Sequence, residues 1–417
     1  ANPMLTINGG SSTQDLDWKK LEVSGTTAGP VTLMENGAGI SFGSTYDGAK
    51  SEINSADTTE FNIDTENREA SDKKVIAQSY QYRGQTQAVA LDGNVYGGIS
   101  RVANATRENT INVERGSYAN AYGGYTDSVP PLPGSDAKAH SAEKNSSHDN
   151  TITISGATVN NTVYGGYTNA ASGTATKNTV NVTGGTVANV VGGYSTGDAK
   201  ENVVNVKSDV TGNVTGSVSA NGAASANVVS LGNIKVEGNV TGGQGTATND
   251  NKVNVDGTTV NGSISGGSNA TSGNTLTVKG TNSASDITGF QTVKFNLDTG
   301  DATKTMLSLT NGTATNIDWA SLKTDGTATG ARTLLSSEKG ITLAGYEVGG
   351  NFVSETDAHE YFIDTDSHTG DNVKRINIDD YQFKGAEVSG AANSADTWAG
   401  RSKHGNTTQD NELTITD

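Results

Sequence analysis

Asn178-Thr-Val-Asn-Val182, Asn202-Val-Val-Asn-Val206, Asn227-Val-Val-Ser-Leu231 and Asn251-Lys-Val-Asn-Val255 are four versions of one short segment, and they decide the fold. Their leading asparagines lie 24, 25 and 24 residues apart, and each segment is followed by a second short apolar run that ends in Gly-Gly or Gly-Ser. Self-similarity at a fixed period of about 20–50 residues is typical of proteins in which each repeat stacks on its neighbours. The stretch 177–267 therefore predicts a solenoid.

Each segment has the pattern of a strand with one buried face. Apolar residues alternate, as at Val180 and Val182, and alternation with period two is typical of a half-buried strand. No segment has the 3.6-residue spacing of an amphipathic helix, which excludes helical and leucine-rich repeats. A repeat made only of strands and turns predicts an all-β protein, a parallel β-helix whose coils stack about 4.8 Å apart.

The asparagines that begin the segments are predicted to stack from coil to coil. An asparagine side chain tolerates left-handed turns, and its amide can bond to the amide of a neighbour. The glycine pairs are expected to allow bends where the coil turns. The predicted asparagine ladder comprises Asn109, Asn150, Asn178, Asn202, Asn227, Asn251 and Asn274.

Composition limits the possible functions. The chain has 417 residues, no cysteine and a net charge of −17, and this charge argues against binding nucleic acid through the bulk surface. No run of 18 apolar residues is present, so no bilayer-spanning helix is predicted. We interpret the lack of cysteine as a sign of export in an unfolded state. Because Ala1 starts within a strand-like pattern without a signal peptide, we interpret the chain as part of a longer protein.

A second, longer period is present outside the ladder. Met4-Leu-Thr-Ile7 returns as Met306-Leu-Ser-Leu309, and Asp17-Trp18 returns as Asp318-Trp319, at offsets of 300 to 302 residues. The predicted organisation follows from this duplication. It consists of a β-rich spacer over 1–90, a β-helix ladder over 91–297, a second spacer over 298–390 and the start of another ladder over 391–417.

One coil of the ladder carries an insertion. Asn109 and Asn150 are 41 residues apart, and the segment 127–149 between them contains three prolines and almost nothing apolar. The pattern predicts a loop that leaves the coil. Such a loop can carry binding residues or can be a tolerated insertion, and the sequence leaves both open.

Catalytic and metal-binding motifs are missing from the sequence. There is no Gly-x-Ser-x-Gly elbow, and the few acidic residues of 177–267 fall at unlike positions of the repeat, so no acidic groove is predicted. The histidine-containing stretch 357–368 has no histidine in its first copy, 57–66, and is interpreted as a solvated acidic loop. We therefore predict no enzyme activity, no metal and no cofactor.

Tyrosines occupy two positions beside the glycine pairs. One column precedes the pair, at Tyr96, Tyr122 and Tyr164, and another follows it. Rings that point outwards would form a surface for a sugar or a protein, whereas rings that pack on one another would cover the corner of the coil. The candidate binding residues are Tyr125, Tyr167 and Tyr194 of the second column, with Pro130, Pro131, His140 and His148 of the loop.

The repeated segments resemble the passenger regions of large type V autotransporter adhesins. The resemblance is carried by segments such as Asn178-Thr-Val-Asn-Val182 and Val163-Tyr-Gly-Gly-Tyr167 and covers about 91–297. It implies a right-handed β-helix exported through the outer membrane and displayed on the bacterial cell surface. It also implies adhesion to a host or bacterial glycan or protein, without insertion of this part of the chain into a membrane. Self-association in aggregation or biofilm is the alternative, and a polysaccharide-degrading β-helix is less favoured.

Overall fold

The computed structural model describes residues 3–7, 16–26, 29–54, 56–101, 104–127, 145–310, 315–347, 350–353, 358–391, 397–403 and 405–416. Over these residues the structure is 55% strand without α-helix, and parallel coils stack into a β-solenoid of about 14 turns. Three short 3-10 turns, Trp18–Lys20, Gly43–Thr45 and Trp319–Ser321, are the helical segments in these ranges. None of the described segments is a helix that could cross a bilayer. The predicted all-β, parallel β-helix class is confirmed.

Most of the first nineteen strands belong to coils. They are β1 (Leu5–Ile7), β2 (Gly29–Ser41), β3 (Lys50–Ile53), β4 (Thr59–Thr65), β5 (Ser71–Gln81), β6 (Val89–Leu91), β7 (Asn94–Ser100), β8 (Thr106–Arg107), β9 (Thr110–Val113), β10 (Ser117–Thr126), β11 (Ser147–His148), β12 (Thr151–Ile154), β13 (Thr158–Thr168), β14 (Ala175–Thr176), β15 (Thr179–Val182), β16 (Thr186–Ser195), β17 (Ala199–Lys200), β18 (Val203–Val206) and β19 (Val214–Ser219).

The later strands belong first to further coils and then to the second spacer. They are β20 (Val228–Gly232), β21 (Lys235–Val236), β22 (Val240–Thr241), β23 (Lys252–Asp256), β24 (Thr259–Val260), β25 (Ile264–Ser265), β26 (Thr275–Lys279), β27 (Asn282–Ala284), β28 (Ile287–Thr288), β29 (Thr292–Asn296), β30 (Leu307–Leu309), β31 (Thr315–Asp318), β32 (Leu322–Asp325), β33 (Gly330–Ala344), β34 (Gly350–Val353), β35 (His359–Thr365), β36 (Val373–Gln382), β37 (Glu387–Ala391) and β38 (Glu412–Thr416).

The chain forms two compact units, each with its own stack of coils. The first unit comprises Ala1–Asn205, Thr215–Asn227 and Gln244–Ala247, and the second comprises Val206–Val214, Val228–Gly243 and Thr248–Asp417. Three parallel sheets form the faces of the coils in the first unit. They are β7-β10-β13-β16, β9-β12-β15 and β8-β11-β14-β17. In the second unit the corresponding parallel runs are β22-β25-β28, β20-β23-β26-β29-β32 and β21-β24-β27-β30.

The interior of the coils is built from apolar side chains at equal register. Ile111 lies beside Ile152, which lies beside Val180 on the next coil, and all three are buried. The same arrangement in the second unit joins Val229, Val253 and Leu276. Each buried side chain therefore packs on its counterparts above and below, which is why the sequence repeats with a fixed period.

The asparagine ladder is confirmed within each unit. Asn150 donates from its side-chain amide to Oδ1 of Asn178 at 2.9 Å, and Asn178 donates in the same way to Asn202 at 3.1 Å. In the second unit the backbone N–H of Asn251 donates to Oδ1 of Asn274 at 2.8 Å. These asparagines are fully buried, so the ladder satisfies polar groups that would otherwise be costly to bury.

A left-handed corner precedes the ladder in each of these coils. The residue before the ladder asparagine has positive φ. Before Asn274 this residue is Gly273, and in the other coils it is not a glycine. These non-glycine residues have φ between 52° and 58° and are Glu108, Asp149, Lys177, Glu201, Ala226, Asp250 and, in the last described coil, Asp410. A side chain in this region costs about 1–2 kcal/mol, so the corner is held by the packing and hydrogen bonds around it.

The two spacers have the same strand pairing, which supports the duplication seen in the sequence. In the first, β2, β5, β4 and β3 are antiparallel neighbours, and β1 is parallel to β2. In the second, β33, β36, β35 and β34 repeat this order, and β30 is parallel to β33. Because β30 also pairs with β27, the second antiparallel sheet continues directly from a parallel sheet of coils. The four predicted boundaries, 1–90, 91–297, 298–390 and 391–417, stay predictions.

Candidate binding face

Two columns of tyrosine rings lie on the outer side of the coils in the first unit, where Tyr96 and Tyr122 are buried by their neighbours and the other rings are partly exposed. The residue before each ring of the first column is buried inside the coil, as Ala121 and Val163 are. Because successive side chains of a strand point to opposite faces, the rings that follow point outwards. We call the six rings together the tyrosine face. Its first column is Tyr96, Tyr122 and Tyr164, and its second column is Tyr125, Tyr167 and Tyr194.

The register of the strands sets the stacking of the rings. Tyr122 lies beside Tyr164 in the parallel pair β10–β13, and their ring centroids are 5.2 Å apart with an angle of 6°. Tyr167 and Tyr194 are 4.8 Å apart at 11°. These separations are close to the strand spacing of about 4.8 Å, so each ring lies over the ring of the neighbouring coil. Between columns the contact is edge to face, at 5.0 Å for Tyr122 and Tyr125.

A glycine pair makes the two columns possible. Tyr122 and Tyr125 are three residues apart, and strict alternation would place them on opposite faces. A Cβ atom on either Gly123 or Gly124 would face the ladder residue Asn150, so the alternation shifts by one residue at the pair and both rings lie on the outer side. A Cβ atom on Gly123 would lie 2.4 Å from the carbonyl oxygen of Gly165, so only glycine allows this approach of neighbouring coils.

The hydroxyls of Tyr122, Tyr125 and Tyr167 are neutral at physiological pH. Burial raises the pKa of Tyr167 to about 12, and burial also raises the pKa values of Tyr122 and Tyr125. A neutral phenol presents an apolar ring together with a hydroxyl that can donate or accept a hydrogen bond. The tyrosine face can therefore contact an amphipathic partner without adding negative charge.

A polar group borders the tyrosine face. Arg101 lies over the ring of Tyr125 at 5.6 Å and forms an ion pair with Asp127, with Nη1 and Oδ2 3.0 Å apart. Asp127 also accepts hydrogen bonds from the hydroxyl of Tyr125 at 3.3 Å and from the side chain of Asn169 at 3.0 Å. These bonds fix the orientation of the edge ring.

The structure brings together only part of the predicted binding set. Tyr125, Tyr167 and Tyr194 form one continuous column, and their role in binding stays a prediction. His148 lies in strand β11 of another sheet, in register with Arg107 and Thr176. It is thus part of the coil, although its sequence position suggested a loop. Pro130, Pro131 and His140 lie outside the described residues.

Two residues of the polar border were not identified from the sequence. Arg101 follows Tyr96-Gly-Gly-Ile-Ser100, and Asp127 follows Tyr122-Gly-Gly-Tyr-Thr126 at the equivalent position of the next coil. These opposite charges at equivalent positions of neighbouring coils were the available signal. Asp127 lies at the first position of the predicted loop, and only the fold shows that it is mostly buried beside Arg101.

The described ranges contain no group of three or more histidine, aspartate or glutamate side chains placed to hold a metal. The tyrosine face consists of stacked rings bordered by the ion pair of Arg101 and Asp127. Comparison of the chain with known protein families, with characterised proteins and with solved structures gave no match.

Proposed function

We propose that this chain is part of a bacterial cell-surface adhesin, and that the tyrosine face is its contact surface for a host or bacterial glycan or protein. The observation that supports this function is a stack of partly exposed rings, Tyr125, Tyr164, Tyr167 and Tyr194, which packs on the buried rings of Tyr96 and Tyr122. Tyrosine is enriched at protein interfaces because it offers a large, rigid contact area and a polar tip.

The packing of the rings makes the tyrosine face a prepared surface. Each ring is held by a neighbour in its own column and by the edge of a ring in the other column. Few rotamers are therefore lost when a partner binds, and the entropic cost of association is low. Such a surface suits the flat, partly apolar side of a sugar ring or an exposed protein patch.

The location that we propose is extracellular. The chain has no cysteine and a net charge of −17, a composition that suits a protein exported without disulfides. We propose no enzyme activity and no nucleic-acid partner. Release of product from a panel of polysaccharides would contradict the first of these statements.

The test is a triple substitution of the second column, Tyr125→Ile, Tyr167→Ile and Tyr194→Ile. Isoleucine is the residue of this protein's own coil at the same register, where Ile99 lies beside Tyr125, so the coil should keep its strands. We expect loss of most binding to cells and to arrayed glycans and matrix proteins, with an unchanged β spectrum in circular dichroism.

The matched control is Tyr118→Ile, which changes a tyrosine of the same strand β10 outside both columns. It should retain binding. Full binding by the triple variant would overturn the proposal. Sedimentation at increasing concentration tests the alternative of self-association. If the tyrosine face binds a second copy, the parent chain should associate and the triple variant should not.

A further inference from the structure

The first column of tyrosine rings ends in the middle of the ladder. In the parallel pair β13–β16, Tyr164 lies in register with Val191, so the next coil carries a valine where this coil carries a ring. Tyr122 has stacked rings on both sides, Tyr96 at 5.1 Å and Tyr164 at 5.2 Å, and is 8% exposed. Among the described rings, Tyr164 stacks on Tyr122 alone, and it is partly exposed. The face of the Tyr164 ring towards Val191 is therefore not covered by another ring.

The opposite end of this column is closed. Val89 lies beside Tyr96 in the antiparallel pair β6–β7, and Leu91 and Tyr80 pack against the same cluster of rings. Tyr96 is accordingly only 4% exposed, although it is also a terminal ring of the column. The open end of the column is thus at Tyr164, where the next coil follows with a smaller side chain.

A second ring borders the same position. Tyr194 lies on the coil of Val191, and its ring is partly exposed. Two coils earlier, Tyr122 and Tyr125 of one coil meet edge to face at 5.0 Å. Tyr194 has the smaller Val191 in place of such a partner, and its edge contact with Tyr164 is longer, at 6.4 Å. We call the space outside Val191, between the rings of Tyr164 and Tyr194, the ring gap.

The surroundings of the ring gap are polar but uncharged. Strands β13 and β16, which form its floor, contain no charged residue. Thr162 and Asn189 lie in register with each other, two positions before Tyr164 and Val191 and hence on the same outer side. The gap therefore combines ring surfaces with neutral hydroxyl and amide groups at its edge. This composition suits an uncharged ligand that has an apolar ring face and several hydroxyls.

We propose that the ring gap binds one pyranose ring of a neutral saccharide. The axial C–H bonds of a glucose-type ring form an apolar face, and their positive hydrogens are attracted to the negative face of an aromatic ring. This sugar face stacks on Tyr164, the side of the sugar meets Tyr194, and its hydroxyls bond to Thr162 and Asn189. The sugar thus takes the place in the stack that Tyr164 has on the preceding coil. The inference rests on the proposed function and deepens it, because it names the class of ligand and its place on the tyrosine face.

Calorimetry with the whole chain tests the ring gap, with cellotetraose as the probe because it is neutral and its rings have apolar faces. We expect saturable binding by the parent chain. The variant Val191→Tyr completes the column and should bind at least about tenfold more weakly, with an unchanged β spectrum in circular dichroism. Tyr164→Val removes the stacking surface, introduces the residue that the next coil has in register, and should lose at least as much. This second variant tests the gap even if Val191→Tyr does not fold.

The control variant is Thr186→Tyr, which adds an exposed tyrosine to the same strand outside the ring gap and should bind as the parent chain does. Equal affinity of Val191→Tyr and the parent chain, or no binding of cellotetraose by the parent chain, would overturn the proposal. Tighter binding of N-acetyltyrosine amide than of cellotetraose would instead assign the gap to an aromatic side chain of a protein. Binding of tetragalacturonate as tight as that of cellotetraose would contradict a neutral ligand.

The same variants separate this inference from the proposed function. If the triple tyrosine variant loses binding to cells and arrays while Val191→Tyr keeps both that binding and its affinity for cellotetraose, the ring gap is overturned and the tyrosine face stands. Full binding to cells and arrays by the triple variant would overturn the proposed function itself.

Discussion

The buried carboxylate of Glu60 accepts a 2.9 Å hydrogen bond from the hydroxyl of Ser100. Glu60 belongs to strand β4 of the first spacer, and Ser100 ends strand β7 of the first coil. The carboxylate also accepts from the backbone N–H of Arg101 at 2.6 Å and from the side chain of Asn104 at 3.0 Å. In the second unit Glu360 receives the same bonds from Ser402, Lys403 and Asn406. One buried glutamate per copy therefore ties a spacer to the coil that follows it.

Stability should fall as pH rises through the range in which Glu60 titrates. Burial raises the pKa of Glu60 to about 7, although the hydrogen bonds from Arg101, Asn104 and Ser100 act in the opposite direction. In the unfolded chain the pKa is near the ordinary value of about 4.3, so between these pH values the folded state holds a proton that the unfolded state has lost. The stabilising effect of that proton is complete below about pH 4 and is lost towards pH 7, amounting to about 4 kcal/mol at most.

The measurement is the free energy of unfolding by urea at several pH values for the parent chain and for Glu60→Gln. The difference between the two should change with pH between about 4 and 7, because glutamine does not titrate. A Glu66→Gln variant, which alters an exposed carboxylate near the end of β4, serves as control. Parallel pH profiles for the parent chain and Glu60→Gln would contradict the assignment.

Removing one member of the asparagine ladder should be costly. Asn178 donates to Asn202 and to the backbone oxygen of Ser147, and it accepts from Asn150. The variant Asn178→Ala removes the oxygen to which the buried backbone N–H of Asn150 donates, and a buried group left without a partner costs about 1–3 kcal/mol. We expect the free energy of unfolding to fall by at least about 2 kcal/mol. Asn181→Ala, at a partly exposed position three residues later, should cost less than half as much, and equal losses for the two variants would count against the ladder as a stabilising element.

Glycine should stabilise the left-handed corner. Ala226 has φ of 56° directly before the ladder residue Asn227. Replacing a residue in this region by glycine removes about 1 kcal/mol of steric cost, although glycine is more flexible in the unfolded chain. The variant Ala226→Gly should therefore gain up to about 1 kcal/mol in thermal or urea unfolding. Ala220→Gly, at an exposed residue without positive φ, should show no gain, and a loss at Ala226 as large as at Ala220 would refute the steric explanation.

The second spacer contains a buried ionisable pair that the first spacer lacks. Nδ1 of His359 lies 3.1 Å from Oδ1 of Asp380, and both residues are buried. Burial raises the pKa of Asp380, an effect that the contact with His359 opposes. The first spacer has Thr59 and Ser79 at the matching register positions, beside Gln81 and Phe61.

This difference between copies predicts strong coupling between two substitutions. His359→Thr alone should cost about 3–5 kcal/mol, because Asp380 is left buried without its partner. The double variant His359→Thr, Asp380→Ser recreates the pair of the first spacer and should lose less than the single variant. A double-mutant cycle in urea measures the coupling, and additive losses would show that the pair acts as two independent residues.

Much of the coil could be predicted from residues such as Val180 and Asn178, and little of the binding face could. Inward valines and ladder asparagines recur because each contacts its own counterpart one coil away, so the contact is visible as a period in the sequence. The orientation of Tyr125 depended on a shift in alternation at the preceding glycine pair, which a regular strand pattern does not predict. His148 was placed in a loop because its flanking sequence is polar, yet it pairs in register with Arg107.

The sequence by itself determined that this protein is a stack of β coils interrupted by a duplicated spacer. Each repeat contacts its neighbours in the same way, so the same residue types are needed at the same positions of every repeat. The tertiary structure alone decided which exposed rings and charges meet. The carboxylate of Glu60 reaches Ser100, and Lys403 reaches Tyr381, only after an antiparallel sheet has folded next to a parallel coil. Such contacts join two kinds of segment with different periods, so they leave no periodic signal in the sequence.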